Sequence, residues 1–346
     1  MASLDQQIDR FVQPFSSGLS DFIFYKIPIF GNDFPIIVLW LVTAATFFTF
    51  YYGFINIRAF PAALRLVFGS SEKTKGAQGE ITHFQALSTA ISGTVGIGNI
   101  GGVAVAISIG GPGAAFWLFL AGFLGMSTKF VECTLGVKYR KSNADGSVSG
   151  GPMYYLEHCL SIRGYPGLGK LLGSFYAISL VIGCFGIGNM FQSNQAYVQF
   201  LSITGGESSF FADKGWLFGI ILAGAVGLVI IGGIKSIAKA ASKIVPSMAG
   251  LYLVAALIIL ILSFDSIDDA FKLIIQSAFG LNSFAGGAIG ALIIGFQRSA
   301  FSNEAGMGTA SIAHSAVETN EPITEGLVSL LEPFIDTMVI CTLTSL

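Results

Sequence analysis

Residues 93–102 read GTVGIGNIGG. Within them, Gly96-Ile97-Gly98-Asn99-Ile100-Gly101 matches the G-x-G-x-x-G pattern of dinucleotide-binding loops. Such a loop needs a strand before it, a helix after it and an acidic residue about 20 positions on. The upstream stretch ITHFQALSTAIS has no strand pattern, the next acid is Glu132, and GVAVAISIG prolongs an apolar run. A nucleotide-dependent enzyme is therefore set aside. The other reading is a helix interrupted on purpose. Five glycines fall in these ten residues, each weakening a helix by about 1 kcal/mol relative to alanine. Within a membrane, unwound backbone survives only where protein buries it or a wet cavity adjoins it. Freed N–H groups there suit a carboxylate, and freed C=O groups suit a cation. Helix packing through Gly98-x-x-x-Gly102 accounts for some of the glycines, but not for their clustering around Thr94 and Asn99.

The composition supports a membrane setting. Of 346 residues, 53% are hydrophobic and 11% charged, with 44 glycines and a net charge of −2. Soluble chains carry roughly 25% charged residues. No basic patch points to nucleic acid. Apolar stretches long enough to cross a bilayer fall at 34–57, 82–109, 113–137, 168–200, 216–233, 245–263, 285–309 and 323–346. Amphipathic pieces, GPMYYLEHCL and SIDDAFKLIIQSAF, lie between them. Placing the N-terminus outside puts most of the 18 Lys and Arg in inner loops: Arg58 to Lys75, Lys138 to Lys170, and Lys235 to Lys243. Arg10, Lys26, Lys214 and Lys272 then lie outside, the bias that sets topology. Cys133, Cys159, Cys184 and Cys341 show no paired spacing and read as small buried apolar residues. His83, His158 and His314 lie far apart, so no metal site is visible. No cleavable signal peptide is evident.

Carriers with broken helices are often built from inverted repeats, so a second interrupted helix is expected. GFQRSAFSNEAGMGTASIA, residues 295–313, meets that expectation with a run of polar residues followed by Gly306 and Gly308. By the charge count it runs opposite to the first, and four spans separate them, so each opens a block of five.

At these residues the sequence resembles a known family. SGTVGIGNIGGVAVAISIGGPGAAFW (92–117), SGGPMYYLEHCL (149–160), GNMFQSNQ (188–195), FSNEAGMGTASIAH (301–314) and FIDTMVICTLTSL (334–346) look like the alanine or glycine:cation symporters. The resemblance implies an all-α integral membrane protein of LeuT-type inverted-repeat fold with an extra N-terminal helix. Residues 1–60 would hold that helix, 80–264 the first five-helix repeat and 265–346 an incomplete second repeat. It implies Na⁺-coupled uptake of alanine, glycine or similar small neutral amino acids across the plasma membrane, the inner membrane in a bacterium, with no cofactor beyond the coupling ion. The substrate would meet an unwound segment over 94–99, with contacts from Thr94, Gly96, Gly98 and Asn99. Gln192 would reach in from the fourth span, and Phe301, Ser302 and Asn303 would form the opposing wall. Thr94 and Gly93 would supply part of a Na⁺ site, since hard cations prefer oxygen. Family members continue beyond CTLTSL, so the resemblance also implies a C-terminally truncated chain, with a transport-inactive fragment as the rival reading.

Charges at membrane depth are expensive. Glu132 is expected to pair locally with Lys129, and Glu304 to act as a brace or gate beside the second break. Glu332 and Asp336 share a helix face, with Pro333 kinking that helix. Their partners are expected to lie in the missing helices.

Overall fold

A computed structural model describes residues 4–29, 32–69, 77–186, 188–280 and 287–346. Helix α1 (Leu4–Ile23) leads into a hairpin of β1 (Lys26–Ile29) and β2 (Asn32–Pro35), paired Lys26 to Pro35. Neither was legible as structure in the sequence. Helix α2 (Ile36–Tyr51) is shorter than the 34–57 span because Gly53 and Phe54 take left-handed φ of 58° and 56°. Two short helices follow, α3 (Ile55–Arg58) and α4 (Phe60–Phe68). Lys73 and Lys75, used to orient the chain, lie outside the described residues.

The first interrupted span is α5 (His83–Thr94) and α6 (Ile97–Gly110), which meet at a 44° bend. A capping box starts α5: Gln85 N–H donates to the Thr82 hydroxyl and the Thr82 N–H to Gln85 Oε1, at 3.3 and 3.0 Å. The 26-residue α7 (Gly113–Lys138) ends before a small hairpin of β3 (Lys141–Ser142) and β4 (Val148–Ser149). In that turn the Ser147 hydroxyl and amide hold the Asp145 carboxyl below its usual pKa. Helices α8 (Pro152–Ile162), α9 (Pro166–Gly183), α10 (Asn189–Ile203), α11 (Gly215–Ile230), α12 (Gly233–Leu262) and α13 (Phe264–Phe279) follow.

Two expectations are corrected here. The single span at 168–200 is two helices, because α9 stops at Gly183 and α10 restarts after Gly188, whose φ is 74°. Lys235, Lys239 and Lys243 lie in the first turns of α12, not in a loop; each can extend its ammonium along the helix end.

The second interrupted span is α14 (Gly287–Asn303) and α15 (Ala310–Ser315). The predicted start at 285 lies outside the described residues. Its break is a left-handed turn, with φ of 54°, 102° and 80° at Glu304, Gly306 and Gly308. The last span begins with α16 (Pro322–Ser329) and covers Pro322–Ser345. Pro333, which lacks an N–H, does not end it; the chain continues through a π-helical stretch, Phe334–Cys341.

The long α7 is the column against which the others pack. Its Gly122 and Gly136 face Thr337 and Ser311, with room for no side chain. From the other side, Gly295 of α14 approaches the Ala114 carbonyl, and Gly326 of α16 the Phe130 carbonyl. Small residues let helices approach this closely in lipid, where apolar burial alone does not drive them together. Both α7 and the last span have most of their apolar windows buried, whereas α12 has 6%. Leu228, Ile231 and Leu262 are 82%, 87% and 81% exposed. Outward apolar faces of this length match a hydrocarbon environment. The chain is a mostly helical, multi-pass membrane protein.

A methyl group at Gly326 would lie 2.0 Å from Thr134 Oγ1 and 2.7 Å from the Phe130 carbonyl. Gly326→Ala is expected to destabilise the fold by about 1–3 kcal/mol. Gly227→Ala, with nothing within 4 Å, is expected to leave the melting temperature in detergent unchanged or slightly raised. Equal melting curves for the two variants would contradict this packing.

Candidate functional site

The first break is narrower than the sequence suggests. Only Val95 and Gly96 leave helical geometry, and Asn99 sits at the third position of α6 rather than in an unwound stretch. Its Oδ1 accepts the Gly96 N–H at 2.8 Å, capping the restarted helix. By helix geometry, the last carbonyls of α5 and the first amides of α6 have no intrahelical partner. The break therefore presents acceptors on one side and donors on the other, with the α5 dipole favouring a cation and the α6 dipole an anion.

Asn99 also reaches across the molecule. Its Nδ2 carries two hydrogens and has four acceptors in range: Asp336 Oδ1 at 2.7 Å, Ser302 Oγ at 3.0 Å, the Asp336 carbonyl at 3.2 Å and Cys341 Sγ at 3.3 Å. Ser302 donates to Asp336 Oδ2 at 2.7 Å, and so does the Thr337 hydroxyl at 2.7 Å. Asn99, Asp336 and Thr337 are 0% exposed. The first break, the end of α14 and the π-helical stretch thus meet on one carboxylate. Asp336, expected to lack its partners, has three donors; they come from two other helices and from its own neighbour.

Asn303 closes the second break as Asn99 closes the first. Its Oδ1 accepts the Ala305 N–H at 3.0 Å, while Nδ2 donates to Ser299 Oγ and Thr337 Oγ1 at 3.0 and 2.9 Å. Glu304 accepts from the Thr309 hydroxyl across the same turn. Gln192, in the first turn of α10, lies against Gly96, where an added Cβ would sit 2.8 Å from Gln192 Oε1. The Thr94 hydroxyl turns back to the Ala90 and Ile91 carbonyls at 3.5 and 3.4 Å. Gly93 and Gly98 are exposed, with open space where a side chain would point.

Phe301 does not join this group. It is 59% exposed, and its ring lies 6.1 Å from that of Phe24 in the segment after α1. One residue before Ser302, it projects from a different face of α14, toward Phe24.

Other charges also find partners that sequence distance concealed. Lys129 Nζ donates to Glu332 Oε1 at 3.0 Å, both side chains fully buried, in place of the expected local pair with Glu132. Glu132 instead accepts the Gly306 N–H. His83 and His314, read as remote, both meet the buried carboxylate of Glu325 through Nδ1. That contact ties the start of α5 to the end of α15. Nearby, Arg140 donates to the carbonyls of Gln78, Ser315, Val317 and Thr319, and Ile81 bridges Val317. Of the cysteines, Cys133 and Cys341 are buried, but Cys184 is exposed, since it lies in the interruption between α9 and α10. Among the described residues no group of His, Cys, Asp and Glu forms a metal centre.

The sodium:alanine symporter family matches the chain over residues 22–346. A sodium/alanine symporter, AgcS, of Methanococcus maripaludis is 43% identical over 315 residues, covering 90% of this chain and 67% of that protein. A probable sodium/glutamine symporter, GlnT, of Bacillus subtilis is 34% identical over 312 residues, covering 90% and 62%. An amino-acid carrier protein, AlsT, of Bacillus subtilis is 35% identical over 306 residues, covering 88% and 62%. The chain spans about two thirds of the length of the curated relatives it matches.

Asn99 and Ser302 share hydrogen bonds with each other and with Asp336, so their loss is expected to be non-additive. In a double-mutant cycle of Asn99→Ala and Ser302→Ala, thermal unfolding in detergent is expected to show a coupling of about 1 kcal/mol or more. Additive losses would mean that the two breaks are not joined through these side chains.

Proposed function

The chain belongs to the sodium:alanine symporter family, and we propose that it binds and carries small neutral amino acids together with Na⁺ between its two broken helices. The observation that carries this reading is the Asn99–Ser302–Asp336 network, which brings both breaks onto one buried carboxylate. A zwitterion needs donors for its carboxylate and acceptors for its ammonium. The α6 amides at Ile97 and Gly98 supply the first, as helix N-termini do for anions. The carbonyls that end α5 supply the second.

In this reading Gln192, Thr94, Gly96, Gly98, Asn99, Ser302 and Asn303 line the site. Phe301 is left out because it faces Phe24. Gly93 and Thr94 contribute oxygen ligands to Na⁺, which a hard cation favours. Asp336 is added. An ionised carboxylate has about four acceptor positions, and three donors occupy it here. One position remains to balance the positive charge that Na⁺ or the substrate ammonium brings in. The names of the relatives, which refer to alanine and to glutamine, fit an uncharged side chain at a site lined by amides and hydroxyls.

The two breaks belong to a LeuT-type arrangement, with residues 80–264 and 265–346 as inverted repeats after an N-terminal segment, residues 1–60. Alternating access follows if one repeat's bundle rocks against the other around the breaks. The protein sits in the plasma membrane with its N-terminus outside. Ion and substrate are coupled because both need the same interrupted backbone at Val95 and Gly96.

Reconstituted in vesicles, the chain is expected to take up labelled alanine down a Na⁺ gradient and to lose that uptake when the gradient is abolished. Gln192→Ala is expected to lower uptake about 10-fold or more, the loss of one hydrogen bond to a charged group. Phe301→Leu is expected to stay near wild type. Uptake indifferent to Na⁺ would refute the coupling, and equal defects in the two variants would refute this placement of the site.

A further inference from the structure

A second buried cluster lies on α7, away from the Asn99 network. Lys129 and Glu332 form an ion pair with both side chains fully buried. Glu132, one turn along from Lys129, is 7% exposed and accepts the Gly306 N–H in the second break. One oxygen of each carboxylate, Glu132 Oε2 and Glu332 Oε2, is buried with no hydrogen-bond partner. The groups facing Glu132 are Lys129 and Cys133 on its own helix, Glu332 on the last span, Tyr155 and Tyr176 on α8 and α9, and the Gly306 and Gly308 amides of the break, with Glu304 facing Tyr176. Among these, Lys129 is the one cation set against three carboxylates. Glu304 is served by the Thr309 hydroxyl, which leaves Glu132 and Glu332 sharing a single positive charge. An uncompensated carboxylate in a low-dielectric interior takes a proton in preference to remaining charged. Of the two, Glu332 holds the direct contact with Lys129, so Glu132 is the one whose charge is less fully balanced.

We propose that Glu132 is a proton-binding site, occupied in this arrangement, whose proton sets how firmly α7 grips the second broken helix. The proton resides on Oε2, and Oε1 remains the acceptor for the Gly306 amide. When the proton leaves, the ionised carboxylate binds that amide more strongly, because hydrogen bonds to charged acceptors are about twice as strong as neutral ones. The Gly306 turn, already left-handed at φ 102°, is then held more tightly to α7. A proton suits the site better than a metal ion, since Lys129 already places a positive charge between the two carboxylates. This site is separate from the transport reading and stands whether or not that reading does.

Infrared difference spectroscopy on the reconstituted chain at neutral pH tests it, reading the C=O stretch of a protonated carboxyl. The band is expected in wild type, is expected to persist in Asp336→Asn, is expected to weaken in Glu332→Gln, where Lys129 is freed to pair with Glu132, and is expected to vanish in Glu132→Gln, which keeps the acceptor for Gly306. Glu132→Asp is expected to shift the band rather than abolish it, which covers the case of a Gln variant that does not fold. No band in wild type, or a band that survives in Glu132→Gln, would overturn the proposal. Replacing an organic cation by Na⁺ in the buffer is expected to leave the band unchanged; its loss would mean that the site takes sodium instead and would overturn the proton assignment.

Discussion

A helix that stops inside a membrane leaves backbone donors and acceptors with no water to receive them. The rest of this structure depends on how that shortage is met at two places. At each break an asparagine supplies a local cap and a distant bond at once. Asn99 takes the Gly96 amide and gives hydrogen bonds to Ser302 and Asp336; Asn303 takes the Ala305 amide and gives hydrogen bonds to Ser299 and Thr337. The amide side chain suits both tasks because it is a donor and an acceptor on one rigid plane and carries no charge to desolvate. Closing each break locally while tying it to the last span joins the two interruptions through one hydrogen-bond network.

The scaffold around that site is a matter of close approach. Helix α7 meets α14, α15 and the last span at glycines, where any side chain would strike backbone or a short polar group. Its buried charges then add contacts of fixed geometry: Lys129 to Glu332, and Glu132 to the Gly306 amide. Breaking a buried pair by removing one partner costs about 3–5 kcal/mol, so these contacts hold register between α7, the second broken helix and the last span. The His83–Glu325–His314 contact and the four carbonyls on Arg140 fasten the far ends of the two interrupted spans. The outward faces of α11 and α12 carry apolar side chains with no such constraints, as lipid contact allows.

Both interruptions were legible in the sequence because clustered glycines and isolated polar residues have few other uses in an apolar segment. The exact extent was not, since Asn99 fits equally the first turn of a helix or an open loop, and only its bond to Gly96 decides. Sequence patterns speak of neighbours three or four residues away. Lys129 and Glu332 are 203 positions apart, and Asn99 and Asp336 are 237 apart, so local spacing named the wrong partner for the first and none for the second. His83 and His314 were hidden for the same reason. Left-handed backbone at Glu304 was also out of reach, because glycine signals such geometry and glutamate does not. Phe301 shows the converse limit. Membership in a motif placed it beside Ser302, but one step along a helix turns a side chain by about 100°, here toward Phe24.

The most direct test asks whether substrate reaches the first break. Gly98 is exposed and has open space where a side chain would point, so Gly98→Cys is expected to fold normally once the accessible Cys159 and Cys184 are replaced by serine. The rate at which a water-soluble thiol reagent modifies that cysteine, measured with and without alanine and Na⁺, reads occupancy of the site. The account expects alanine with Na⁺ to slow modification several-fold and alanine without Na⁺ to slow it far less. An unchanged rate in a variant that still takes up alanine would contradict it, because the solute would then be passing somewhere other than between the two breaks.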